Sequence, residues 1–321
     1  MARMPAMTGS RRSLRVAAAL TLLGCFPVVA ASSVASLPDD RVVLAPADPP
    51  LDPVPVMPSP SPTPSTPPRA SAPAKVDRAE LSRSLERYLD GRPGRLSVAV
   101  KDLATGRSFS YGGRHRPATA SVVKVDVVAA LMLRAQRDDR ALTSTEKALA
   151  ARAIKVSDND ATDALWSLIG GAEGLREANR RLGLRDTEPG PGGAWGATTT
   201  SAADQVRLLA ALASPRGPLG AAHRRHLLGL MADVAPEQAW GVSAGAGKDA
   251  EVALKNGWLP RKADGGAWTV NSVGRVRDAR HDYLIAVLSD RHPSMGAGVE
   301  TVERVTRLVT GALGEAREST L

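Results

Sequence analysis

Ser121-Val-Val-Lys-Val-Asp-Val-Val-Ala-Ala-Leu-Met-Leu133 is apolar almost throughout, with Lys124 and Asp126 as the exceptions after the opening serine. A run of this kind reads as a helix buried on most sides, so the surrounding chain must supply a substantial core. Lys124 stands one helical turn from Ser121, on the same face and between valines. Burial disfavours a charged lysine and lowers its pKa toward the range of a useful general base. A neutral Lys124 could then take the proton from Ser121 as the hydroxyl attacks a carbonyl. Taken alone, the pair would read better as a helix cap with a snorkelling lysine. A second Ser-x-x-Lys, Ser144 to Lys147, lies in a charged helix start and has that plainer meaning.

Working outward, a helix is expected from Asp77 to about Leu89, stopped by Asp90-Gly91-Arg92-Pro93-Gly94. Arg95 to Leu103 alternates as a strand with Leu96, Val98 and Val100 on one face, and Arg107 to Tyr111 can pair back on it. The middle of the chain, to about Ala213, is mostly helical. Thr143-x-x-Glu146 forms a capping box, and Ala172 to Leu182 and Thr200 to Leu212 are amphipathic. After Gly245 strands return at Glu251 to Leu259, Ala267 to Val276 and Asp282 to Ser289, and a helix from about Val299 to Leu313 closes the chain. Strands at both ends of a helical middle predict an α/β fold, its sheet built from both chain ends and a helical subdomain inserted, with a cleft between them.

Two further motifs fall in order after the first. Ser157-Asp158-Asn159 precedes an amphipathic run, and all three are favoured helix caps as well as polar groups that a capped helix start would hold rigidly. Lys255-Asn256-Gly257 ends a mostly apolar stretch. Asn-Gly is a strong hairpin-turn pair, but Asp264-Gly265-Gly266 downstream is the better turn, which leaves Lys255 and Gly257 on a strand. There the lysine could attract a substrate carboxylate, and the glycine would permit close backbone approach.

The ordered set resembles the S-x-x-K, S-D-N and K-T-G signature of class A β-lactamases and penicillin-binding proteins, over roughly residues 76–315. The resemblance implies an antiparallel sheet flanked by helices plus an inserted all-α subdomain. It implies a serine hydrolase acylated at Ser121, with Lys124 as base and Ser157 as proton shuttle to the leaving nitrogen. Asn159, Lys255, Gly257 and Trp258 would contact the substrate, a β-lactam or a D-alanyl peptide, and the backbone N–H groups of Ser121 and Trp258 would form an oxyanion hole. A D-alanyl-D-alanine carboxypeptidase, or a penicillin-binding wall or sensor protein without turnover, is the alternative. Three departures accompany the resemblance. Asn256 replaces the hydroxyl residue of K-T-G, the spacing between the first two motifs is shorter than usual, and no Glu-x-x-Leu-Asn lies between Gly183 and Thr198. Asp186 and Glu188 are the carboxylates of that loop, and Glu188 is the candidate for deacylation. Trp195, Trp240 and Trp258 are candidates to line the cleft.

A rival nucleophile, Ser243 in Gly241-Val-Ser-Ala-Gly245, is followed by Asp278 and His281 in Ser, Asp, His order. A nucleophile elbow needs a strand before it and a helix after it, and a strand pattern follows here instead.

At 321 residues and 43% hydrophobic content the chain can hold one large domain. Three segments are expected: an export signal at 1–36, a Pro/Ser-rich linker at 37–75 and the hydrolase domain at 76–321. Arg11 and Arg12 precede an apolar run to Ala31, a pattern that also fits twin-arginine export. Leu22-Leu23-Gly24-Cys25 looks like a lipobox, so lipid at Cys25 is the alternative to a freely secreted chain. Proline recurs through Pro46 to Ala74, and an extended spacer of that length reaches roughly 90 Å at ~3.1 Å per residue. The net charge of +9 is dispersed, with no basic run interleaved with aromatics, which argues against nucleic acid and leaves an anionic wall polymer as a candidate partner. Cys25 is the only cysteine, and the His223/His226 pair reads as a solvated helix face, so neither a metal nor another cofactor is expected. The domain is expected to act as a monomer.

Overall fold

The computed structural model describes residues 77–318. The expected signal peptide, linker and Cys25 lie outside the described residues. Five strands form one antiparallel sheet: β1 (Arg95–Asp102), β2 (Ser108–Tyr111), β3 (Glu251–Pro260), β4 (Trp268–Arg277) and β5 (Asp282–His292), in the order β2-β1-β5-β4-β3. The first two come from the N-terminal part and the others from the C-terminal part. Helices α1 (Arg78–Leu89) and α8 (Met295–Glu318) pack on one face, and α2 (Val123–Arg137), α3 (Ser144–Lys155), α4 (Asn159–Ile169), α5 (Gly171–Leu182), α6 (Ala202–Ala213) and α7 (Ala221–Ala232) are inserted between β2 and β3.

Strand alternation explains the two cores. Tyr283, Ile285 and Val287 of β5 face α1 and α8, meeting Leu81, Leu85, Val302, Val305 and Val309, while Leu284, Ala286 and Leu288 face the helical insertion. Leu96, Val98 and Val100 share the α1/α8 face, as their spacing predicts. On the other side α2 is buried at every position from Val123 to Leu133, which accounts for its nearly unbroken apolar sequence.

Local signals set the ends of the helices. Asp77 caps α1 by accepting from the Glu80 N–H, and Thr143 and Glu146 form the capping box of α3. The hairpin between β3 and β4 turns at residues 261–267, with Gly265 and Gly266 at φ of 66° and 86°. Asn256-Gly257 therefore lies inside β3, paired with Ser272 and Asn271 of β4. One expectation is corrected: His223 and His226 of α7 are half-buried, not on a solvated face, because α7 packs among β3, α2, α3 and α6. Burial lowers both imidazole pKa values.

Candidate active site

Ser121 sits in a 3-10 turn, Ala120–Val122, that feeds directly into α2. The turn is strained, since Ala120 has φ of 49°. Its neighbours hold it in place. Thr119 N donates to Thr198 O at 2.7 Å, and the buried Asn271 amide donates to the carbonyls of Ala118 (2.8 Å) and Thr119 (3.1 Å). On the β3 side, a Cβ added at Gly257 would lie 2.6 Å from Thr119 O and 2.7 Å from the nitrogens of Ser121 and Val122. Only glycine lets the edge strand approach the serine's backbone so closely. The Ser121 hydroxyl is half-buried and makes no hydrogen bond to any described residue.

Lys124, on the first turn of α2, is fully buried. Its Nζ donates to Ser157 O (2.5 Å), Ser157 Oγ (3.2 Å) and Asn159 Oδ1 (2.8 Å). The Ser-Asp-Asn tripeptide divides its labour. Asp158 caps α4 by accepting from Ala161 N and pairs with Arg152, and the residues on either side of it are left to face Lys124. Turning Ser157 inward costs a left-handed backbone, φ 57°. Burial lowers the Lys124 pKa to about 8, partly opposed by the charges of Asp158 and Asp163.

Lys255, on edge strand β3, reaches the same hydroxyl from the other side, with Nζ 3.0 Å from Ser157 Oγ. It also donates to Asn256 O (2.9 Å) and Gln238 Oε1 (3.4 Å). Burial, and then the charge of Lys124, push its pKa down to about 7. Every acceptor around the two amines is neutral, which leaves a positively biased pocket with one hydroxyl bridging two lysines. That geometry suits a proton relay and the binding of an anionic group.

Asn256 and Trp258 point to the opposite face of β3. The Asn256 amide donates to Gln238 O (2.8 Å) and Trp240 O (3.0 Å), so it ties down the loop before β3. The Trp258 indole packs on Trp240 with ring centres 5.7 Å apart, alongside the α8 core. Its backbone, not its ring, lies next to Gly257.

Two residues of the loop after α5 have different fates. The Trp195 ring lies 5.0 Å from Lys124 Nζ, and its indole N–H donates to Asp163 Oδ1 at 2.7 Å. Glu188 is exposed, pairs with Arg176 of α5 at 2.8 Å, and contacts none of Ser121, Lys124, Ser157 or Lys255. Asp186 is held by Arg116 and Ser201. The rival Ser243 lies in a 3-10 turn and donates to Ala239 O, while the His281 ring bonds to Asp102, so these two do not meet. Sequence reasoning missed Asn271, Gln238 and Asp163, because an isolated polar residue in a strand or loop carries no spacing signal. Among the described residues no group of three or more His, Cys, Asp or Glu could hold a metal ion.

A sheet with helices on both faces, and a serine turn facing a lysine-bearing edge strand, define a class A β-lactamase-like fold. The chain belongs to the β-lactamase enzyme family, whose model matches residues 80–146 and 140–313. Among curated proteins it is 32% identical over 235 residues to the "Putative lipoprotein LppW" of Mycobacterium tuberculosis, covering 70% of this chain and 73% of that one. Among solved structures it is similar to a class A β-lactamase from Bacteroides cellulosilyticus (19% identity, TM-score 0.65, 75% of this chain and 99% of that one). It is also similar to a mutant of PBP-A in an acyl-enzyme complex with penicillin G (21% identity, TM-score 0.64, 74% and 97%).

Proposed function

We propose that this chain is an extracytoplasmic serine hydrolase of the class A β-lactamase type, acylated at Ser121 by β-lactams. The observation that carries the reading is the single hydroxyl of Ser157 bridging Lys124 and Lys255 beside the Ser121 turn. In the reaction Ser121 Oγ attacks the lactam carbonyl and its proton passes to neutral Lys124. The C–N bond then breaks, and the leaving nitrogen takes a proton through Ser157, which Lys124 and Lys255 keep oriented. Asn159 and Lys255 bind the substrate's amide and carboxylate. Gly257 brings β3 against the serine so that the N–H groups of Ser121 and Trp258 face the developing oxyanion.

A second reading, a D-alanyl carboxypeptidase-like or penicillin-binding wall or sensor protein with little turnover, is favoured by the loop after α5. It presents an indole to Lys124 and turns Glu188 toward Arg176. Both readings share acylation and differ in release. An export signal at 1–36 followed by a spacer at 37–75 would place the domain outside the membrane, and cleavage ahead of Cys25 with lipid on that residue would instead tether it there through the spacer. The lipoprotein description of the relative from M. tuberculosis supports this arrangement, and the mass of the mature N-terminus tests it.

The test of function is incubation with a labelled penicillin followed by peptide mass spectrometry. A penicilloyl adduct on Ser121 that is lost in Ser121→Ala is expected. An unmodified Ser121, or a label surviving in that variant, would refute the assignment. The time course of the adduct separates the two readings, since rapid loss marks a β-lactamase and persistence marks a binding protein or slow peptidase.

A further inference from the structure

Hydrolysis of an ester on Ser121 requires a water molecule that adds to the acyl carbon and loses a proton to a base. The ester C–O bond then breaks, and Ser121 Oγ takes the proton back. Asp158 is taken up by the α4 cap and Arg152, and Asp163 by the Trp195 indole, which leaves Lys124 and Lys255 as the amines to accept that proton, and the approach to each is restricted. Lys255 is fully buried between Ser157, Gln238 and the β3 backbone. Lys124 is enclosed by Ser157 and Asn159 on one side, and the Trp195 ring is stacked over its amine at 5.0 Å.

Trp195 is the one large side chain in Pro191-Gly-Gly-Ala-Trp-Gly-Ala197. The segment around it is two short 3-10 turns, with Gly192 and Gly193 at φ of 59° and 80°. Backbone bonds close these turns and the ring packs at the margin of the helical core, so its remaining freedom is rotation of the side chain toward or away from the amine. The polar anchor of that side chain is Asp163, which stands one turn after Asn159 on α4 and accepts the indole N–H at 2.7 Å. A charge-assisted bond to an exposed carboxylate holds the ring where it excludes solvent from the amine. One helix thus supplies both the amide that binds Lys124 and the carboxylate that holds the cover over it.

We propose that Trp195, locked by Asp163, is a shield that keeps hydrolytic water from Lys124 and so sets the lifetime of an ester on Ser121. The half concerning the ester rests on the acylation proposed above; the shielding of the amine does not. Trp195 and Asp163 are positioning residues, acting on water through Lys124.

The experiment has two arms on the full chain. In the first, penicilloyl adduct is formed, free penicillin is removed, and loss of the adduct is followed by mass spectrometry. Decay is expected at least tenfold faster in Trp195→Ala than in the wild type. About threefold is expected in Trp195→Phe, which loses the indole N–H, and in Asp163→Asn, which leaves an uncharged acceptor in place of the carboxylate; both keep an aromatic face. In the second arm, surface amines are reductively methylated with formaldehyde and cyanoborohydride without any penicillin. Lys124 should be protected in the wild type relative to exposed Lys248, and its methylation should rise across the variants in the same order. Asp163→Asn, a change at an exposed position, guards against a misfolded tryptophan variant. Adduct decay in Trp195→Ala within twofold of the wild type, or Lys124 methylation unchanged by loss of the ring, would overturn the proposal. A wild type that takes no label would instead refute acylation, and the methylation arm would still decide the shield.

Discussion

Asp126, two residues past Lys124 on α2, is wholly buried, with Oδ1 3.5 Å from Gln205 Nε2 and Oδ2 without a partner. Gln205 Oε1 is likewise unpartnered. Burial, reinforced by the charge of Asp204, raises the carboxyl's pKa from 3.8 to about 7. In an unfolded chain the same group ionises near its ordinary value. Below pH ~4 this group is protonated in both states and its contribution to stability is fully present. Between there and pH ~7 this carboxyl ionises only in the unfolded chain, so its contribution falls as pH rises, and above pH ~7 the loss is complete. At 1.36 kcal/mol per pKa unit, the total is about 4 kcal/mol. Asp126→Asn removes the ionisation, and its amide can donate to Gln205 Oε1. Urea unfolding of wild type and variant, followed by tryptophan fluorescence from pH 4 to 8, should show the variant's advantage growing by about 1.4 kcal/mol per pH unit and levelling near pH 7. Stability differences that stay constant over that range would refute the assignment of a buried, neutral carboxylic acid.

Three further outcomes are expected at the site itself. Gly257→Ala drives a Cβ into backbone atoms of Thr119, Ser121 and Val122, so labelling of Ser121 by penicillin should fall at least a hundredfold, at a stability cost of about 1–3 kcal/mol by thermal unfolding. Asn271→Ala takes the side-chain partners from the buried Ala118 carbonyl and the Ser289 N–H and leaves Thr119 O only its bond from Val122 N, so about 3 kcal/mol of stability should be lost and acylation slowed; unchanged stability would mean the turn holds itself. As the proposed base, Lys124 would act only when neutral, and with its pKa at about 8 the acylation rate should rise roughly tenfold from pH 6 to 7 and level off above 8, and a flat profile would exclude that role.

Much of the architecture was legible along the chain because its elements carry local signals. The Asp77 cap, the Thr143 capping box, the apolar α2 and the alternation of Leu96, Val98 and Val100 each state a conformation and a buried face without reference to distant residues. The weight of Asp264-Gly265-Gly266 as a turn likewise kept Asn256-Gly257 in a strand. The half-burial of α7 was not legible, since its pattern records what it presents to water and not that four elements, β3, α2, α3 and α6, share its remaining surface.

The order of Ser121, Lys124, Ser157 and Lys255 in the sequence pointed to the kind of fold and to the side chains of the proposed site. Tertiary structure decided who faces whom. Asp158 takes the helix cap and leaves Ser157 to the two lysines, Gly257 comes under the serine turn, and Asn256 turns away to bind a loop. It also put Trp195, and not Glu188, over Lys124. The physical reason is that caps and periodicity are settled within a few residues, whereas the depressed pKa of a lysine and the path of water to it depend on groups brought together from remote parts of the chain.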